Sequence, residues 1–367
     1  MIYFLSKKVY KAKLSWIAIC ISLLIVFICL GFNIKNQHSD TLKGMAESQI
    51  STDMKQARTF RKRNHKVVPE IKHDLTVNRK ILKAIHNKQW RKAYQTQITI
   101  NNQIMKSEKK MGGNDPEMAN AFNSETNLYK ALSRLNIPQQ SEESPATGIS
   151  FLLYVEQWIA PVLIVLICSQ IYTRRFIGQL DKDSLLPVTS AANVSCNIMT
   201  GWFISLALLL IILGLGFLTA SIISGIGDTR YPVALFSKKL SYKIYIPQSQ
   251  IILPTIVLRI LSSFFVATSV FFFAILTKKT LTTLFLNMLL LIGTNLLTPF
   301  VEPISKIAQY LPTSYFNGVS VLSNRLAHDA ANYQINYVNG IKALIIGTVL
   351  FGAASYVLQY LRQSRAA

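Results

Sequence analysis

Between Ser15 and Phe32 the chain reads SWIAICISLLIVFICLGF, 18 consecutive positions without a charge. As a helix this run extends about 27 Å, close to the roughly 30 Å of a bilayer's hydrocarbon core. Five further apolar runs of similar or greater length follow at Ile149–Tyr172, Met199–Gly225, Ile251–Leu276, Leu281–Phe300 and Ile341–Tyr360. The pattern predicts an all-α polytopic membrane protein with six transmembrane helices. Only TKKT separates the fourth and fifth runs, so these two form a tight antiparallel hairpin; one 50-residue helix has no place in so thin a bilayer.

The one long polar stretch, residues 33–148, lies between the first and second spans. Within LTVNRKILKAIHNKQWRKAYQTQITINNQI, the residues Leu75, Ile81, Leu82, Ile85, Trp90, Tyr94 and Ile98 recur mostly at spacings of three to five, enough for one apolar helical stripe. MGGNDPE interrupts the pattern, with Asn114 or Asp115 and Pro116 suited to open a new helix, and IPQQSEESPATG is a turn-rich linker back to the membrane. Three regions result: 1–32 with the first span, a helical domain at 33–148, and a five-span region at 149–367. The loop Asp228–Gln250 carries LFSKKLSYKIYIP, readable as an amphipathic stretch on the membrane surface.

The net charge of +22 changes the picture less than its size suggests, because 20 of the 39 Lys and Arg fall between Lys35 and Arg134. No zinc-finger spacing, RNA-recognition signature or basic-region heptad accompanies them, so nucleic acid is not the expected partner. Anionic lipid headgroups or cell-wall polymers suit a basic face beside a membrane. Outside the long insert, eleven basic residues lie in segments that six spans would place inside and seven in those placed outside. That bias puts both termini in the cytoplasm and residues 33–148 outside. Lys7, Lys8, Lys11 and Lys13 precede the first run without a small-x-small cleavage pattern after it, which marks an uncleaved anchor. The insert holds no cysteine, so its stability must come from helix packing.

Candidate chemistry is sparse. The sequence has no G-x-x-x-x-G-K-[ST], H-E-x-x-H or G-x-S-x-G, and its five histidines show no metal-ligand spacing. No catalytic residue, metal site or cofactor of the chain's own is expected. Two charges inside apolar runs need an explanation, since each is costly in hydrocarbon unless paired or hydrated. Glu156 lies seven residues into the second run and Arg259 eight into the fourth, both from the same side of the bilayer. Either they face each other or a shared aqueous vestibule, or each snorkels separately to the interface.

The segment TRRFIGQLDKDSLLPVTSAANVSCNIMTG, at 173–201 between the second and third spans, resembles the part of type 2 ABC exporter permeases that carries a short coupling helix against the ATPase subunit. Leu185, Leu186, Pro187 and Val188 match the family's Leu-Leu-Pro-Val turn, and Phe176, Ile177 and Leu180 would form the apolar face for that partner. Thr189–Ala192 departs from the basic residue the family often carries after the turn. Near the C-terminus, Leu311, Pro312, Tyr315, Phe316 and Gly340 are similar to the family's last outer loop. The long insert, with NKQWRKAYQTQ, is similar to that of Gram-positive bacterial members. The resemblance implies a permease subunit in a bacterial cell membrane, paired with a second permease chain and bound to a separate ABC ATPase that carries the ATP. Its coupling segment would be 173–198, and its substrate a peptide, lipid, drug or polysaccharide. A non-transporting sensor or immunity protein, whose basic outer domain binds a peptide or cell-wall component, is the rival reading. A membrane-embedded enzyme is disfavoured by the lack of clustered His, Asp and Glu in the spans.

Overall fold

The structure, a computed structural model, describes residues 13–62, 69–111, 115–177, 180–182 and 189–366. Six helices among them are long and apolar enough to cross a membrane: α1 (Lys13–Asn36), α6 (Gly148–Thr173), α7 (Ser190–Ser224), α8 (Ser249–Thr277), α9 (Thr280–Leu297) and α13 (Tyr337–Ala366). The chain is therefore an all-α polytopic membrane protein, with two short two-stranded hairpins beside the helices among the described residues. It divides into two compact units, one formed by residues 1–28, 151–219 and 250–367, the other by 29–150 and 220–249.

In the first unit, α6 and α8 bury more than half of their apolar windows, while α1, α7, α9 and α13 bury less than a quarter. Side chains such as Leu210, Leu253 and Leu350 stay exposed, as suits helices surrounded by hydrocarbon with their backbone hydrogen bonds satisfied internally. Lys278 takes a positive φ of 58° between α8 and α9, which gives the abrupt reversal that TKKT requires. Span α9 contains a π-helical turn at Met288–Gly293. Between α9 and α13 the chain forms three short helices, α10 (Glu302–Ile307), α11 (Gly318–Leu322) and α12 (Arg325–Asp329), with 3-10 turns at Ala308–Tyr310 and Pro312–Tyr315.

The second unit is a bundle of α2 (Leu42–Lys62), α3 (Pro69–His86), α4 (Trp90–Lys110) and α5 (Pro116–Leu135). Its core joins Leu42, Ala46, Ile81, Ile85, Tyr94, Tyr129 and Leu132. The Tyr94 and Tyr129 rings stack at 5.7 Å, and their hydroxyls donate to the Ile137 carbonyl and to Glu125. Burial holds both phenols above the ordinary tyrosine range, and the Glu125 carboxylate adds to the effect at Tyr129. The single stripe read across residues 75–98 is two stripes, because the chain reverses at Asn87–Gln89. Lys88 adopts φ 56° there, and the Gln89 N–H reaches back to the Ala84 carbonyl at 2.8 Å. Asp115 caps α5 by accepting from Glu117 N at 2.9 Å and Met118 N at 3.3 Å, with Pro116 at the first helical position.

This unit also takes in a piece of chain from beyond α7. In place of a surface-lying amphipathic stretch, residues 232–247 form a hairpin of β3 (Pro232–Leu235) and β4 (Ile244–Pro247) against α5. Tyr231 enters the helical core, and its hydroxyl accepts from Gln140 N at 3.0 Å. Gly225 ends α7 at φ 84° with open space around it.

Candidate functional site

Two polar assemblies stand out in the spanning unit. The first is built on Glu156 and Arg259, nine and eleven residues along α6 and α8 counting the first residue of each. At the helical rise both lie about 12–15 Å along their spans. The structure brings them together. Arg259 Nε donates to Glu156 Oε2, and Arg259 Nη2 donates to the Phe316 carbonyl at 2.6 Å. Both side chains are buried, so the charges are satisfied by each other and by backbone. Neither snorkels. The second carboxylate oxygen, Glu156 Oε1, is buried with no hydrogen-bond partner among the described residues.

Phe316 brings with it an element that hydropathy did not reveal. It closes the 3-10 turn Pro312–Tyr315, whose Thr313, Ser314 and Tyr315 are all buried. The Phe316 ring packs 6.2 Å from that of Phe265, sixteen residues beyond the start of α8. On the other side, a Cβ placed at Gly347, ten residues into α13, would sit 2.7 Å from Pro312 Cγ. Residues 311–316 therefore reach about 15 Å down the helices that flank them. Irregular backbone at such depth is tolerated where protein encloses it and its polar groups are met locally. Here Ser314 N–H donates to Leu311 O at 3.1 Å, and Tyr315 Oη donates to Gln309 O at 2.9 Å. Thr294 Oγ1 of α9 donates to Thr313 Oγ1 at 3.1 Å. Leu311, Pro312, Tyr315 and Phe316, singled out by resemblance alone, thus belong to one packed element, and Gly340, singled out with them, lies on α13 against it. A Cβ at Gly340 would lie 2.6 Å from the Tyr315 ring.

The second assembly lies between α6 and α7, at the opposite end of α8 from Arg259. Where a coupling helix was expected, the described residues form a hairpin of β1 (Phe176–Ile177) and β2 (Leu180–Asp181). Arg175, 1% exposed, sits at its root. Its Nε donates to Asp181 Oδ1 at 2.8 Å and its Nη2 to Asp181 Oδ2, a bidentate pair. The guanidinium lies 5.3 Å from the centre of the Phe176 ring and 5.6 Å from that of Phe271 on α8. Gln359 Nε2 of α13 reaches Asp181 Oδ2 at 3.4 Å. Phe176 is buried against this guanidinium rather than presented outward. Ile177 and Leu180 are described only as strand backbone, and Leu185, Leu186 and Pro187 lie outside the described residues. The coupling helix is what the family resemblance implies, with Phe176, Ile177 and Leu180 as its apolar face. The opposite charges of Arg175 and Asp181, six residues apart, were the signal that this stretch pairs with itself.

Compared with protein-family models, with curated proteins and with solved structures, the chain matches none.

Proposed function

We propose that the chain is the membrane-spanning permease subunit of an ATP-driven ABC exporter, working with a second permease chain and a separate ATPase in a bacterial cell membrane. Both termini and the 174–189 connection lie in the cytoplasm in this reading, and residues 33–148 lie outside. The observation that supports it most is the hairpin rooted by Arg175. It links the 174–189 connection through one buried ion pair to Phe271 on α8 and Gln359 on α13. A push on that connection from a closing ATPase dimer is thereby delivered to two spans beyond those it joins. Coupling of this kind needs contacts that differ between two states of the spans. At the other end of α8, Arg259 holds the 311–316 segment, so a displaced α8 carries a load at both ends.

The test is co-expression with an ATPase encoded in an adjacent reading frame. The proposal expects the two chains to purify together and ATP hydrolysis to respond to reconstitution in lipid. An Arg175→Ala, Asp181→Ala double variant should retain binding but lose the lipid-dependent change in hydrolysis. Absence of any co-purifying ATPase, with a ligand held by the polar insert, would favour the sensor reading instead.

A further inference from the structure

The folded insert carries basic residues at both ends of its bundle, and one group lies where the chain meets the spans. From 75 to 107 the sequence holds no Asp or Glu, yet carries Arg79, Lys80, Lys83, Lys88, Arg91, Lys92 and Lys106. Lys80, Lys83, Lys88 and Lys92 occupy the last turns of α3, the reversal and the first turn of α4, and all four are exposed. Among the described residues none of the four side chains makes an ion pair.

The helix order of this unit fixes which end of the bundle bears them. Leu42 and Ala46, at the start of α2, share a core with Ile81, Ala84 and Ile85 at the end of α3. Arg91 N–H donates to Asn136 Oδ1 at 3.1 Å, and Leu42 N–H donates to Gln139 Oε1 at 2.8 Å. Leu42 is six residues from the end of α1, whose Asn33 Nδ2 donates to Pro145 O at 2.8 Å. Gly148, opening α6, is hydrogen-bonded to Gly225, closing α7, at 3.0 Å. The reversal at Asn87–Gln89 is therefore at the end of the bundle from which α1, α6 and α7 depart. The far end of the bundle is basic as well, with Lys55 and Arg58 late in α2, Lys72 in the first turn of α3, and Lys106, Lys109 and Lys110 at the end of α4, these last three about 25 Å from Lys92 by helix rise.

We infer that the α3–α4 reversal, through Lys80, Lys83, Lys88 and Lys92, is a binding surface for the phosphate headgroups of anionic lipids at the bilayer face where the chain segments of this unit continue into the spans. A surface potential acts within about one Debye length, roughly 8 Å at physiological ionic strength, so charges at this end of the bundle feel it and those about 25 Å away do not. The inference does not depend on transport.

The full chain, incorporated into bilayers of phosphatidylcholine with a minority of phosphatidylglycerol, is extracted with its surrounding lipid and the phosphatidylglycerol fraction is measured. Wild type should be enriched over the bulk composition, and high salt should remove the enrichment. Intrinsic binding should weaken roughly five-fold for each charge lost. Lys80→Gln, Lys83→Gln, Lys88→Gln, Lys92→Gln should thus lose half or more of the enrichment, and Lys106→Gln, Lys109→Gln, Lys110→Gln should keep it. A Lys83→Gln, Lys88→Gln pair, checked for unchanged helicity, serves if the fourfold variant does not fold. Equal loss in the far-end variant would reduce the effect to net charge and overturn the assignment, as would unchanged enrichment in the variants of the reversal. A soluble glycerol-phosphate polymer retained through these lysines, with lipid enrichment unaffected by their loss, would assign the surface to a cell-wall polyanion and also overturn it.

Discussion

Breaking the buried pair should cost unequal amounts on its two sides. Glu156→Gln removes the carboxylate charge and leaves Arg259 buried, still donating to the Phe316 carbonyl. Arg259→Gln removes the ion pair and also the bond that holds residues 311–316. Removing one partner of a buried pair costs about 3–5 kcal/mol, and a hydrogen bond from a charged donor adds about 1.5–3 kcal/mol. The arginine variant should therefore be the less stable by about 1.5 kcal/mol or more, a large share of a total of about 5–15 kcal/mol. Exchanging the two, Glu156→Arg with Arg259→Glu, restores opposite charges but places no donor where Phe316 needs one. Partial recovery is expected. The assay is heat-induced loss of the monodisperse peak for purified protein in detergent, with wild type, both single variants, the double Gln variant and the exchange measured together. Single substitutions within about 0.5 kcal/mol of wild type would refute the reasoning, because buried charges left without partners cannot be that cheap. So would strict additivity in the double variant, since contacting charges must couple.

Gly347→Leu and Gly340→Leu should each unseat residues 311–316, since even a Cβ meets Pro312 Cγ at 2.7 Å or the Tyr315 ring at 2.6 Å; a loss of about 1–3 kcal/mol is expected, and a wild-type melting temperature for both would contradict the packing. The insert 33–148 expressed alone should give a mainly helical circular dichroism spectrum, and joining residues 226–249 to it through a short linker should raise its melting temperature, because Tyr231 completes the core; an unchanged temperature would remove the hairpin from the domain. Tyr94 and Tyr129 hold their protons above the ordinary phenol range when folded, so their contribution to stability is complete below the unfolded value near 10 and is lost as pH rises beyond it. Ultraviolet titration of the insert should show these two ionising only as helicity collapses; ionisation in the ordinary range with helicity intact would contradict their burial.

The six spans were legible because the bilayer imposes length and apolarity together, leaving few ways to misread a run such as 251–276. The start of α5 was legible for a local reason, the match of Asp115 and Pro116 to a helix start. The reversal at Lys88 was not. It carries neither Gly nor Pro, and apolar residues on both sides keep helical spacing, so two antiparallel helices read as one stripe. Lys88 takes its positive φ in a helix C-terminal turn closed by Lys88 N–H to Ile85 O and Gln89 N–H to Ala84 O, a place where Gly is the usual residue and Lys gives no signal. The hairpin 232–247 was missed for a tertiary reason, since its strands pack on α5, about a hundred residues earlier in the chain.

For the site, cost was the readable quantity. A carboxylate and a guanidinium at matching depth in apolar runs called for a partner, for water or for separate snorkelling, and the pairing of Glu156 with Arg259 is the one the structure holds. The third member, the Phe316 carbonyl, could not be read this way, because every residue has a carbonyl and hydropathy assigned 301–340 to an outer loop. Only the helices around it show why residues 311–316 descend. Arg259 brings more donors than one carboxylate oxygen takes up, and a backbone carbonyl at that depth needs a donor that hydrocarbon cannot supply. Each satisfies the other. The ion pair in α6 and α8 thus does more than neutralise two charges: it is the anchor that lets irregular chain enter the span region, and the descent of that chain is in turn what completes the arginine's shell.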